Sequence, residues 1–300
     1  MFSAMLMLGA LSAPVDGREV LDRAVAGRSA ISNGIVRVRQ VSSAPDRADI
    51  VSEEQFIFTP AAFRHDLITH SVHDRLHESS FKEKPAVTMP VARRSFADGV
   101  LLERLRMGKN SYQNSRHQVP SMYHLENGRE MGFPAAPGEL GDLKRLLYPE
   151  AEVISHSIDG ALHTVRLKTP TGDTAVVVDS DRGWSVVAWE RHTVHADGTR
   201  YSTRGSVTPA QYGGVWYPSV VYREQYRDGK LELARELTVL SADFKASVSE
   251  KEFTLEGMGM RRGEHVREAP SAQGFVAAKE RAGVPVDQRT PPHPHQPPKP

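Results

Sequence analysis

The chain of 300 residues contains no cysteine, which excludes disulfide frameworks and thiolate metal sites. It also lacks a charge excess, at a formal +1, so nothing in its total charge steers it toward nucleic acid. No segment reaches the roughly 20 apolar residues that a membrane-spanning helix needs. The motifs of common enzymes are missing too. There is no G-x-S-x-G elbow, no phosphate-binding loop, no H-E-x-x-H and no dinucleotide glycine fingerprint. No cofactor is implied.

What the sequence does have is hairpin rhythm. Between Ala161 and Leu240, ALHTVRLK, TAVVVD, WSVVAWERHTV, TRYSTRGSV, VWYPSVVYREQY and KLELARELTVL follow one another with turn residues between. Asp197-Gly198 and Asp228-Gly229 are strong hairpin signals, because glycine supplies the positive φ of a tight turn. These segments predict a six-stranded antiparallel meander. Upstream, GREVLDRAVAGRS (17–29) carries Val20, Leu21, Ala24 and Val25 at helical spacing. GIVRVRQV (34–41), EEQFIFT (53–59) and AFRHDL (62–67) read as strands, and residues 91–108 as a hairpin about Asp98-Gly99. Residues 68–90 and 109–137 read as irregular, and ELGDLKRLL (139–147) as a helix with a leucine face. SEKEFTL (249–255) reads as a last short strand.

The termini differ from this body. Residues 1–16 resemble the apolar core of a secretory signal, with small residues at Ala10, Ser12 and Ala13. Residues 258–300 are polar and proline-rich, a composition that predicts a disordered tail. The domain itself is placed at 17–257, with 109–137 as an insertion.

The order of these segments resembles a known family. The helix, the strand GIVRVRQV, the pair EEQFIFTPAAFRHDL, the turn SFADG, the phrase VVVDSDRGWSVVAWERHTVHADGT (176–199) and the segment YGGVWYPSVVYREQY together look like the LolA-like superfamily. That superfamily includes the periplasmic lipoprotein carrier, lipid-binding lipoproteins and an envelope-stress sensing domain. The resemblance implies an α+β fold: a strongly curved, unclosed antiparallel sheet, a half-barrel with helices covering its concave side. It also implies an exported, non-enzymatic protein whose groove accepts a lipid or the acyl chains of a lipoprotein. An alternative within the cell envelope is a protein-interaction or sensor module whose groove is filled by its own side chains. Phe56, Phe58, Leu102, Trp184, Val186, Trp189, Trp216, Tyr217 and Val221 are the residues expected to line the groove. The ordinary core reading of the same residues stays open beside it. In WSVVAWERHTV strict alternation puts Trp184, Val186 and Ala188 on one face and Val187 and Trp189 on the other.

Two other constellations carry less. His70, His73 and His77 would share a helix face with carboxylates nearby, but the flanking pattern is not helical, so a solvated loop is the plainer reading. Asp179 and Asp181 bracket a turn, where carboxylates commonly make Asx turns.

Overall fold

The computed structural model describes residues 16–45, 49–73, 92–97, 100–107, 111–118, 131–132, 151–169, 172–195 and 197–268. One helix, α1 (Gly17–Ser29), opens it. Asp16 caps the helix by accepting the Glu19 N–H at 2.7 Å, and Glu19 pairs with Arg23 one turn on. Val20, Leu21, Ala24 and Val25 form its buried stripe.

Two meanders follow. The first comprises β1 (Gly34–Ser43), β2 (Asp49–Phe58), β3 (Ala62–His73), β4 (Ala92–Ala97), β5 (Val100–Arg106) and β6 (Tyr112–Gln118). The second comprises β7 (Glu152–Asp159), β8 (Leu162–Thr169), β9 (Gly172–Asp179), β10 (Ser185–Val194), β11 (Arg200–Tyr212), β12 (Val215–Arg227) and β13 (Lys230–Asp243). Antiparallel pairing of β1 with β13 fuses them into one sheet. With β14 (Val266–Glu268), it has the order 14-6-5-4-3-2-1-13-12-11-10-9-8-7. The ends, β14 and β7, do not meet, so the curved sheet is unclosed. All pairs are antiparallel except β14 with β6. At Asp228-Gly229 both φ angles are positive, 48° and 77°, as a two-residue hairpin turn requires.

One face of the sheet carries α1, which packs on β7–β10. Its core has two clusters. Under the helix lie Val165, Leu167, Val176, Val178, Val186 and Trp189. Across the middle strands lie Val36, Val38, Phe56, Phe58, Phe63, Val207, Tyr217, Val221, Leu237 and Val239. The expected cover of several helices is, among the described residues, this single helix; the helix read at 139–147 lies outside them, as do residues 1–15, most of the segment 68–90 and most of the segment 258–300.

On the opposite face a strap, residues 249–264, lies over β3, β4 and β5. Its SEKEFTL segment is a 3-10 turn (Glu250–Phe253) rather than a strand. Phe253 and Met258 are buried there. Ser95 Oγ donates to the Phe253 carbonyl at 2.9 Å, and Arg93 donates to the Met258 carbonyl. Arg104, stacked over Tyr112 at 4.0 Å, pairs with Glu264. The packed chain therefore runs past residue 257, where composition placed its end: Met258 is 0% exposed, and β14 adds a strand. Strands β6 and β7 and the extension of β3 to His73 also fall where the sequence reads as irregular or goes unassigned.

Candidate ligand-binding site

The nine residues expected to line a groove divide into separate places. Phe56, Phe58, Tyr217 and Val221 come together in the central cluster, with Phe56, Phe58 and Tyr217 at 1% exposed or less. Val186 and Trp189 join the cluster under α1, and Trp184 packs against its rim below Arg23, 4.6 Å from the ring centre. Strict alternation fails here because of a bulge. The register with β9 shifts between Val186 and Ala188, so Val186 opposes Val178 and Trp189 opposes Val176 on the same buried side. Trp184 itself sits at φ 58°, outside regular strand geometry. Trp216 flanks a cavity of about 210 Å³ with Trp184, Val215 and Gly27 at the end of α1.

Leu102 is on the wrong face. It opposes Ser95, which lies under the strap, whereas its neighbour Leu101 opposes Phe96 and packs with the central cluster. Alternation along β5 decides this, and sequence alone could not say which parity faces the helix.

Between the clusters stands Arg28, from the last turn of α1. It is buried, donates to the Met131 carbonyl at 2.8 Å and lies 4.8 Å over the Tyr217 ring. Burial lowers its pKa to about 10, against the opposing pull of Tyr217, so it stays cationic at neutral pH. Burial likewise pushes the Tyr217 phenol up, keeping it neutral. The helix is thus pinned to the sheet by a cation held by a carbonyl and a ring face.

The open part of the helix face lies beyond these clusters. Along β1, Val36 and Val38 give way to Gln40 and Ser42; along β2, in the opposite chain direction, Phe58 and Phe56 give way to Glu54 and Ser52. The same change runs from Phe63 to His65 on β3, from Phe96 to Arg94 on β4, and from Val221 to Arg223 on β12. At this level a trough of about 350 Å³ crosses β13, β1, β2, β3 and β4. Gln40, Ser42, Ser52, Glu54, His65, Arg94 and Arg235 give it polar groups; Ile50, Leu67, Ala92 and Leu233 give it apolar walls.

Its floor is organised around Glu54. Ser52 Oγ donates to Glu54 Oε1 at 2.6 Å, and His65 Nε2 lies 2.8 Å from Oε2. A carboxylate only accepts, so His65 carries its hydrogen on Nε2. The His65 ring stacks on Phe56 with centroids 4.7 Å apart, which joins the trough to the central core. Burial alone would raise the Glu54 pKa. The hydrogen bonds from His65 and Ser52 and the field of Arg235 outweigh it and hold the carboxyl below its usual value. Arg94 pairs with Glu103 at 2.9 Å.

In the trough Ser52 gives its proton to the Glu54 carboxylate rather than to a histidine. His70 and His73 lie on the strand β3 and not on a helix, and His77 is outside the described residues. Among the described residues no three His, Asp or Glu side chains gather to hold a metal ion. Asp179 does cap its turn, accepting the Asp181 N–H at 3.0 Å.

No protein-family model and no curated protein matches the chain. Among solved structures it is similar to a LolA superfamily protein from Nitrosomonas europaea, at 13% identity and a TM-score of 0.48, over 80% of this chain and 98% of that one. It is also similar to an outer membrane lipoprotein-sorting protein domain from Vibrio parahaemolyticus, at 9% identity and a TM-score of 0.42, over 82% and 100% of the two chains. A third is an uncharacterized conserved protein from Thermus thermophilus, at 7% identity and a TM-score of 0.33, over 84% and 98%. Likeness at this level says nothing of ligand or activity.

Proposed function

We propose that the chain is a non-enzymatic, exported protein of the cell envelope that holds a lipid or the acyl chains of a lipoprotein on its helix face, as a carrier does. The observation that carries this reading is the trough: a cavity of about 350 Å³, apolar at its walls and polar at its floor, on the face of an unclosed sheet. That volume lies within the range of roughly 300–1,000 Å³ typical of small-molecule sites. Each buried methylene contributes about 0.8 kcal/mol. Ten methylenes would give on the order of 8 kcal/mol before ordering costs, enough for binding without a catalytic constellation. Ile50, Leu67, Ala92 and Leu233 would supply the apolar bank, with Phe56, from the residues singled out in the sequence, supporting His65 from beneath.

A second reading has its own observation. Phe56, Phe58 and Tyr217 are buried by their own neighbours, as in a module whose groove is side-chain-filled and which binds an envelope protein instead. The test is expression of the chain with its own N-terminus in a Gram-negative host, followed by native mass spectrometry and lipid extraction. Co-purifying lipid near unit stoichiometry on a processed chain is the expected result. An empty, unprocessed protein would overturn the carrier reading in favour of the interaction module.

A further inference from the structure

Two histidines meet under the first turns of α1. His156 on β7 brings its Nε2 to 3.2 Å from Nδ1 of His163 on β8, with the ring planes 14° apart and the ring centres 5.4 Å apart. Facing ring nitrogens hold one hydrogen between them: one nitrogen donates, and the other accepts through its lone pair. The contact therefore survives with both rings neutral or with one of them charged. It fails when both are charged, because an imidazolium only donates and two N–H groups then point at each other. Histidine is the side chain whose ordinary titration falls between pH 5 and 8, so this failure lies within reach of mild acid.

The helix sits on this pair. A Cβ on Gly17, in its first turn, would stand 3.2 Å from the Cβ of His156 and 3.0 Å from Val153. His163, 7% exposed, packs against Trp184 with the ring centres 5.2 Å apart, and Arg23 of α1 lies over the same indole. Burial first, then His156 from β7 and Arg23 from α1, hold the His163 pKa below its ordinary value. The carboxylates of the elements packed here are engaged elsewhere or exposed. Glu19 pairs with Arg23, Asp16 caps the helix and Asp179 on β9 pairs with Arg182; Asp22, Glu152, Asp159, Asp173 and Asp181 are exposed. The far end of α1 is held differently, by Arg28 on the Met131 carbonyl and the Tyr217 ring, and that anchor stays cationic through this pH range.

We propose that His156 and His163 form a pH-sensitive latch for α1: its first turns stay seated while one hydrogen lies between the facing nitrogens, and lift from β7 and β8 when both rings are charged, with the Arg28 end left in place. A histidine whose folded pKa is depressed contributes stability that is complete above its unfolded value, 6.5, and is lost as pH falls from there through the folded value. Neutral pH therefore seats the helix and acid loosens it. What lifting uncovers is apolar: Val20 and Leu21 on the helix, Val165 and Val178 on the sheet. The latch lies on the strands under α1, away from the trough, and is independent of the lipid-binding reading.

The experiment is hydrogen exchange of the full chain between about pH 7.5 and about pH 5, read by mass spectrometry on peptides of α1 and corrected for the intrinsic rate. One histidine that regains its ordinary pKa on opening can shift the opening equilibrium by at most ~30-fold at that acid limit, so a rise in α1 exchange of ~3- to 30-fold is expected, measured against peptides of β11 and β12. H163Q, whose amide still bonds His156 but takes no charge, should abolish the rise. H156Q should reduce it, leaving the part due to burial of His163. Imidazole NMR of the wild type gives a reading that needs no folded variant: the His163 signal should titrate below its ordinary value, together with the α1 exchange. A His163 signal titrating at or above that value, α1 exchange unchanged in acid, or a rise undiminished in H163Q would overturn the latch. A rise shared equally by β11 and β12 would mean general acid unfolding and would overturn it as well.

Discussion

Arg64 is the residue on which the opposite face of the sheet depends, and its removal makes a quantitative test of the strap. It is 4% exposed and spends every arm of its guanidinium. Nε and Nη2 grip the two oxygens of Asp66 at 2.8 and 2.6 Å, while Nη1 meets the Glu252 carboxylate at 2.8 Å and the Glu252 and Gly257 carbonyls at 3.1 Å. Arg64→Met keeps the volume and removes all five contacts. Asp66, 2% exposed, then keeps Arg93 at 3.5 Å as the cation beside it, and two strap carbonyls lose their donor. Breaking a buried pair from one side typically costs 3–5 kcal/mol; the residual Arg93 contact puts the expectation near ~3 kcal/mol. Urea unfolding followed by tryptophan fluorescence measures it. Trypsin should also cut faster at Arg261 and Arg262, by on the order of tenfold or more, as the strap opens. The control is Arg64→Met with Asp66→Leu: with both charges gone, stability should recover most of the loss. A single-variant loss under about 1 kcal/mol, or a double variant no better than the single, would refute the assignment of Arg64 as the clamp.

Gly205→Ala should destabilise the protein by about 1–3 kcal/mol, since the new Cβ meets the Trp189 ring at 2.5 Å; an unchanged thermal midpoint would count against the close approach. Trp189→Asp places a carboxylate at a site 4% exposed under α1, and a loss of more than about 4 kcal/mol is expected in the same unfolding assay. Removal of ligand binding with the fold intact, the outcome the groove-lining reading expects, would mean that the ring is reachable from solvent. Glu54 has a folded pKa held below its ordinary 4.5, so its stabilising contribution is present above that value and is lost as pH falls through the folded one. The stability gap between wild type and Glu54→Gln should therefore shrink between neutral pH and the acid limb below 4.5; a gap constant with pH would exclude the proposed ionised state.

The parts of the fold that were legible in the sequence are those with local signals. Asp228-Gly229 marks its own turn, and the apolar spacing of Val20, Leu21, Ala24 and Val25 marks the helix and its buried face. What was not legible depends on pairing. YQNSRHQ and EVISHSID carry too little alternation to announce β6 and β7, which are strands because neighbours offer them hydrogen bonds. The bulge at Val187 moves Trp189 onto the face of Val186, and parity on β5 favours Leu101 over Leu102. The trough was missed for a stronger reason. Glu54, His65, Arg94 and Arg235 come from β2, β3, β4 and β13, and β2 and β13 meet only through β1, by a pairing that joins the two ends of the chain's fold. No spacing in the sequence encodes that meeting.

The boundary on the helix face also bears on why the trough is polar at all. In β1 the order along the chain is apolar then polar, Val36 and Val38 before Gln40 and Ser42; in β2 it is polar then apolar, Ser52 and Glu54 before Phe56 and Phe58. Neighbouring strands thus write the same level of the sheet in opposite sequence order, which no local propensity produces. Nor does stability require it. A buried carboxylate such as Glu54, with its hydrogen bonds from Ser52 and His65, is commonly matched or bettered by apolar residues of the same volume, and these strands already carry an apolar core a few residues away. A fold selected only to be stable would extend Val36, Phe56 and Val221 outward in kind. Glu54, His65, Arg94 and Arg235 instead line a cavity together with the apolar Ile50, Leu67 and Leu233, a mixed lining that suits a ligand itself half polar under the proposed function.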